Sequence, residues 1–126
     1  MKIKIRTRNA DVDGELDDSD ISNAVWLALP SRNTINMLGS EIYFEFPISD
    51  MKYDESKLVT ELECGDIAYW PKVGALCLFF GPTPLSGDDR KPVSRYPVIK
   101  IGRMTSDCSV LDDAGDRQRI IIDRDQ

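Results

Sequence analysis

The sequence predicts a mainly β protein, a closed antiparallel barrel of about eight short strands with one main α-helix over about 19–29. Three observations lead there. Short runs of strand-forming residues recur along the chain, bounded by Gly, Pro, Asp and Ser. The clearest pair, Ile67 to Trp70 and Ala75 to Phe80, flanks a break at Pro71-Lys72-Val73-Gly74 and reads as a β-hairpin. Ser19 to Leu29 carries the clearest helical pattern, and Pro30 stops it.

The elements follow in order. Ile3 and Ile5 alternate with Lys2, Lys4 and Arg6, as in a half-buried first strand. Val12, Gly14 and Leu16 alternate with acidic residues and suggest a short second strand at an edge. In the helix, Ile21, Ala24, Val25, Ala28 and Leu29 share one face, with Trp26 on its flank. Ser19 or Asp18 caps it, and Asp17, Asp18 and Asp20 suit the positive end of its dipole. Their spacing does not match a calcium loop. Ile35 and Met37, the Gly39-Ser40 turn, then Ile42, Phe44 and Phe46 read as a second hairpin. Asp50 to Lys57 reads as a polar loop with a helical turn, and Leu58 to Leu62 as a strand. The opening hairpin ends at Gly81-Pro82-Thr83-Pro84, which cannot continue a ladder. Residues 85–95 have no apolar pattern and read as a surface loop. Val98 to Met104 starts a further strand. Asp112 to Asp116 turns, and Arg119 to Ile122 forms the last strand before a solvated, charge-alternating end.

Length predicts a single domain over 1–126, large enough to bury about two-thirds of its unfolded surface without a metal or disulfide staple. There are 16 basic and 22 acidic residues, a net charge of −6. That balance argues against nucleic-acid and anionic-membrane partners, which need clustered Lys and Arg. Histidine is absent, which removes Ser-His-Asp and Cys-His catalysis and His-ligated metals. The three cysteines, Cys64, Cys77 and Cys108, have neither the spacing of a disulfide framework nor a C-x-x-C pair. They are expected to be reduced, with Cys77 a small buried hydrophobe. No apolar signal core opens the chain and no run reaches membrane-spanning length, so the expected location is cytoplasmic. No cofactor and no metal site are expected.

Gly65-Asp66-Ile67-Ala68-Tyr69-Trp70-Pro71 and Ala75-Leu76-Cys77-Leu78-Phe79-Phe80-Gly81-Pro82-Thr83-Pro84 resemble the small bacterial and archaeal proteins called cyclophilin-like. Ala24-Val25-Trp26-Leu27-Ala28-Leu29-Pro30 and Gly39-Ser40-Glu41-Ile42-Tyr43-Phe44-Glu45-Phe46-Pro47 agree in order and spacing. The likeness runs from residue 1 to about 104. It implies a closed cyclophilin-type barrel capped by helix, in a family whose name describes a shape. True cyclophilins are peptidyl-prolyl isomerases that use an arginine in a Phe-His-Arg type of strand, with Phe, Gln, Trp and His nearby. This chain has no histidine and no such motif. Arg32 is nearest by region, but after Pro30-Ser31 it reads as a turn residue and takes no catalytic role.

Two readings compete at each remaining candidate. The aromatic cluster at Tyr69, Trp70, Phe79 and Phe80 is first of all packing. Alternatively, Tyr43, Tyr69, Trp70 and Phe79 are apolar walls of a ligand pocket. Glu41, Tyr43 and Glu45 share a strand face. Their two carboxylates lie roughly 13 Å apart, too far for a glycosidase pair, and a solvated face is the favoured reading. Glu41 is a proton carrier or acceptor if it faces the groove instead. Asn36 either contacts a ligand amide or steadies the ladder. Asp66 shapes its turn through an Asx-type bond. Thr83, held between two prolines, serves either a binding loop or barrel closure.

The expected function is a cytoplasmic module binding a small molecule or peptide. Its groove would use Tyr43, Tyr69, Trp70 and Phe79 as walls, and Asn36, Glu41 and Thr83 as polar contacts. The alternatives are a divergent prolyl isomerase or carboxylate-dependent enzyme, and a non-catalytic subunit with a protein partner.

Overall fold

A computed structural model describes residues 1–49 and 51–126. Asp50, the first residue of the expected polar loop, lies outside the described residues. The strands are β1 (Lys2–Thr7), β2 (Asp11–Leu16), β3 (Ser31–Thr34), β4 (Asn36–Leu38), β5 (Glu41–Glu45), β6 (Val59–Glu61), β7 (Asp66–Trp70), β8 (Ala75–Phe79), β9 (Val93–Met104) and β10 (Arg119–Arg124). The helix is α1 (Asp20–Leu27), and 3-10 turns span Glu55–Lys57 and Cys108–Asp113.

All the pairings are antiparallel, in the order β3-β10-β1-β2-β9-β7-β8-β5-β4, with β6 added on β9. The strands at the two ends of this order, β3 and β4, are neighbours in the chain, separated by Ile35 alone. The extended segment 31–38 bonds to β10 through its first half and to β5 through its second. Ile35 is fully buried at the changeover, where its N–H donates to Gln118 O at 2.8 Å. The sheet thus returns on itself through one continuous segment. This split, with β6 as a separate short strand, raises the count to ten where about eight were expected.

The interior follows the period-two pattern. Ile3 and Ile5, Ile42 and Phe44, Leu76 and Leu78, and Ile120 and Ile122 all point inward. The helix closes this core with Ile21 and Val25, and Leu29 follows. It is shorter than the expected 19–29. Ser19 is its cap, with Oγ accepting from Ser22 N at 3.2 Å, and Ala28 ends it. Asp17 Oδ1 accepts from the Ser19 hydroxyl at 2.6 Å. Among the described residues no helix is long and apolar enough to cross a membrane.

Two local expectations are corrected by long-range pairing. β2 is not an edge strand, because it lies between β1 and β9. β9 begins at Val93, five residues before the expected start at Val98. Its first half pairs with β6 across a register shift between Val59↔Val98 and Glu61↔Val93. Pro97 lies within that irregularity, one of the few places a sheet tolerates proline, so the local signal understated the strand.

Gly102 lets β9 approach β2. A Cβ there would stand 2.2 Å from Glu15 O and 3.0 Å from Leu16 Cα, both on the paired backbone. Gly102→Ala is therefore expected to lower stability by about 1–3 kcal/mol, the usual range for forced overpacking. Urea unfolding should show an earlier midpoint with an unchanged slope.

Candidate functional site

Alternation along β7 sends Tyr69 and Trp70 to opposite faces. Tyr69 is fully buried inside the core, and its hydroxyl donates to Phe46 O at 2.6 Å. It shares no wall with Trp70. Trp70, Tyr43 and Phe79 face outward and join Leu62, Ala68, Cys77 and Val98 in a second apolar cluster. Trp70 stacks on Tyr96 with ring centroids 4.8 Å apart and planes 13° from parallel. Tyr43 meets Trp70 edge-on at 6.5 Å. Trp70 Nε1 is buried there, and among the described residues it has no hydrogen-bond partner. Three of the four expected walls thus lie together, packed against β6 and β9.

The polar candidates separate in the same way. Thr83 is buried, and its hydroxyl donates to Val93 O at 2.6 Å, which ties the loop entrance to its exit. Asn36 donates to Tyr43 O at 3.3 Å and accepts from Arg117 Nη1 at 2.8 Å, so it steadies the ladder and also holds an arginine. Asp66 shapes its turn as expected, but by accepting from Glu63 N three residues earlier at 2.7 Å rather than through an Asx-type bond. It also pairs with Arg103 at 2.9 Å and Lys100 at 3.2 Å.

Glu41 departs from the favoured solvated reading, being only 5% exposed. It lies opposite Phe79, and the turn before it packs under the Pro82-Thr83-Pro84 exit. Burial pushes its carboxyl up to about 7, against a smaller downward pull from the Cys77 thiol. Burial also pushes that thiol well up, and the Glu41 charge beside it adds to the effect. The pair is a proton-holding site with little access to water, and Cys77 is not a ready nucleophile.

A different region carries the concentrated charge. On β1, β10 and β3 the register aligns Arg6 with Ile121 and Ile121 with Arg32, while Arg119 aligns with Thr34. Arg8 and Arg117 complete the rim of a cleft of about 640 Å3. Five of the chain's nine arginines line it. Arg6 has a loose ion pair with Asp11 at 3.8 Å. Among the described residues, Arg8, Arg32 and Arg119 have no carboxylate within 4.0 Å. Arg117 occupies the left-handed region at φ 65°, a strained conformation for a non-glycine residue. Arg32 stands in β3 rather than in the expected turn, because pairing with β10 extends the chain there. A second cleft, about 670 Å3, has acidic Glu61, Glu63, Asp88 and Asp89 along it.

No candidate residue of the sequence reading lines the arginine cleft. The faint signals were the Arg6-x-Arg8 and Arg117-x-Arg119 spacings, in each of which one arginine lies in a strand, β1 or β10, and the other in the adjoining turn. Among the described residues no group of three or more potential metal-ligating His, Cys, Asp or Glu side chains is present.

The buried carboxyl predicts a pH dependence. An acid whose folded pKa is raised stabilises the fold below its unfolded value, and that contribution is lost as pH rises through the folded value. A rise from 4.5 to about 7 at Glu41 corresponds to on the order of 3 kcal/mol. Wild type should lose stability between about pH 5 and 7.5, and Glu41→Gln should lose distinctly less. Parallel denaturant titrations across that window check this, and equal slopes for the two proteins would contradict it.

Residues 1–123 match the family described as Cyclophilin-like. The solution structure of the hypothetical protein AF2241 from Archaeoglobus fulgidus superposes with a TM-score of 0.80 at 34% identity, over 99% of this chain and 95% of that one. The structure of McbB in complex with tryptophan superposes with a TM-score of 0.69 over 97% of this chain and 44% of that one. At 16% identity that likeness shows the fold alone. Among curated proteins none matches the sequence. With its ten-stranded sheet, single capping helix and near full-length family match, the chain belongs to the cyclophilin-like family.

Proposed function

We propose that this chain is a binding module for a small molecule or peptide whose anionic group docks in the arginine cleft. The supporting observation is the convergence of Arg8, Arg32 and Arg119, unpaired with carboxylates among the described residues, in a chain of net charge −6. Guanidinium groups on one face repel one another, and a carboxylate or phosphate relieves that repulsion through charge-assisted, often bidentate bonds. The cleft volume suits a small ligand or a peptide terminus. Ile121 and Thr34 supply an apolar and a hydroxyl contact between the charges. The overall acidity favours a compact anion over a long polyanion. McbB, of the same fold, has been solved with tryptophan, which carries a carboxylate. This supports a small-ligand role for the fold, and a cytoplasmic location fits the same reading.

The prolyl isomerase alternative gains less support. The arginine cleft has no aromatic lining, and Tyr43, Trp70 and Phe79 are packed together elsewhere. A carboxylate-dependent enzyme would rest on Glu41, but Glu41 does not line this cleft.

Calorimetric titration with inorganic pyrophosphate, and with citrate and N-acetyl amino acids each beside its neutral carboxamide, tests the proposal. At least one anion should bind, and the neutral carboxamides should not. Arg32→Gln with Arg119→Gln should weaken binding roughly tenfold to hundredfold, in keeping with the loss of charge-assisted bonds. Added salt should weaken it as well. Binding unchanged in the folded double variant, or no binding by any anion, would overturn the assignment.

A further inference from the structure

Cys64 and Cys108 are 44 residues apart in the chain, yet their Sγ atoms lie 4.0 Å from each other. Both are free thiols. Cys64 is exposed on the turn before β7, and Cys108 is half-buried at the first position of the 3-10 turn after β9. Neither position is loosely held. Next to Cys64, Gly65 N donates to Phe79 O at 2.7 Å and Gly65 O accepts from Met104 N at 2.7 Å. Arg103 Nη2 donates to Cys64 O at 3.1 Å. On the other side, Asp107 Oδ1 accepts from Ser109 N at 3.0 Å and caps the turn. The sulfurs need to approach by about 2 Å to bond, a shift within reach of side-chain rotation.

We propose that Cys64 and Cys108 form a redox-active dithiol that reduces low-molecular-weight disulfides and closes into an intramolecular disulfide. Cys64 is the entry thiol because it is the exposed one. Its thiolate attacks one sulfur of the small disulfide, forms a mixed disulfide and releases the first small thiol. The Cys108 thiolate then attacks Cys64 Sγ and expels the second. Two protein thiols are oxidised by two electrons, one small disulfide is reduced to two thiols, and the two protons leave with those thiols. The fold holds the second thiol beside the first, which makes the closing step intramolecular. In the dithiol form burial, with the Cys64 thiol adding to it, pushes Cys108 up to about 11; closure needs the Cys108 thiolate and so speeds up as pH rises. Cys77 lies fully buried in the outer apolar cluster and takes no part.

Oxidised glutathione serves as the probe. The full chain is incubated with it at about pH 8.5, then denatured, alkylated and weighed. Two of the three thiols should escape alkylation with no glutathione retained, and digestion should yield a fragment joining 64 to 108. Cys108→Ser should keep one glutathione on Cys64. In Cys64→Ser, Cys108 should react more than tenfold slower than Cys64 does in Cys108→Ser. Full alkylation of the wild type, glutathione retained on it, or disulfide-linked dimers would overturn the proposal. Equal reactivity of the two single variants would overturn the order of attack. The wild-type result stands by itself if a variant fails to fold.

Discussion

The segment 31–38 divides its backbone between two ladders, and the rest of the sheet is arranged around that division. Its first half bonds β10 and its second half bonds β5, with Ile35 buried at the changeover. The buried Ile35 has its N–H paired with Gln118 O, so the changeover from one ladder to the other leaves no buried donor unpaired there. The apolar interior then encloses itself, and one short helix suffices to cover it. The same passage sets Arg32 beside the β10 arginines and puts Asn36 within 2.8 Å of Arg117. The same segment thus links the two ends of the sheet and contributes Arg32 to the cleft.

The sheet carries two chemically distinct outer surfaces. On β5, β7, β8 and β9 apolar side chains face outward and pack with Val59 and Leu62 at β6 and with Tyr96 of β9. There a carboxylate and a thiol lie buried together: burial raises the cost of ionising both, the Glu41 charge raises it further for Cys77, and the thiol's hydrogen bond partly offsets it for Glu41. Around β1, β10 and β3 five arginines gather with Thr34 and Ile121 between them and stay hydrated around an open cleft. A net charge of −6 conceals this division, because acidic residues elsewhere outweigh five clustered arginines. Overall charge speaks to long-range repulsion, whereas ligand choice depends on the local field.

Individual residues show where local reading succeeds. Ile3, Ile5, Ile42, Phe44, Ile67 and Tyr69 are inside because strand alternation leaves them no other place once one face is buried. Ser19 caps α1 through a bond between near neighbours. Glu41 shows the opposite. Nothing in Glu41-Ile42-Tyr43-Phe44-Glu45 distinguishes its first glutamate from its last, yet one is buried and the other exposed. The difference arises from Phe79 opposite and from a loop some forty residues later. Cys64 and Cys108 are alike in this respect, since wide spacing in the chain says nothing about distance in space.

By itself, then, the sequence determined the fold class, the inward set of most strands, the helix with its cap, and the resemblance that the family match bears out. These rest on interactions within a few residues, or on a periodicity that any barrel of this kind must satisfy. Tertiary structure alone decided that β2 is interior, that β9 starts at Val93, that Arg32 is in a strand, and which charges meet. Those outcomes depend on register between strands far apart in the chain. Register is a collective property of hydrogen-bond ladders and core packing, and no single segment encodes it.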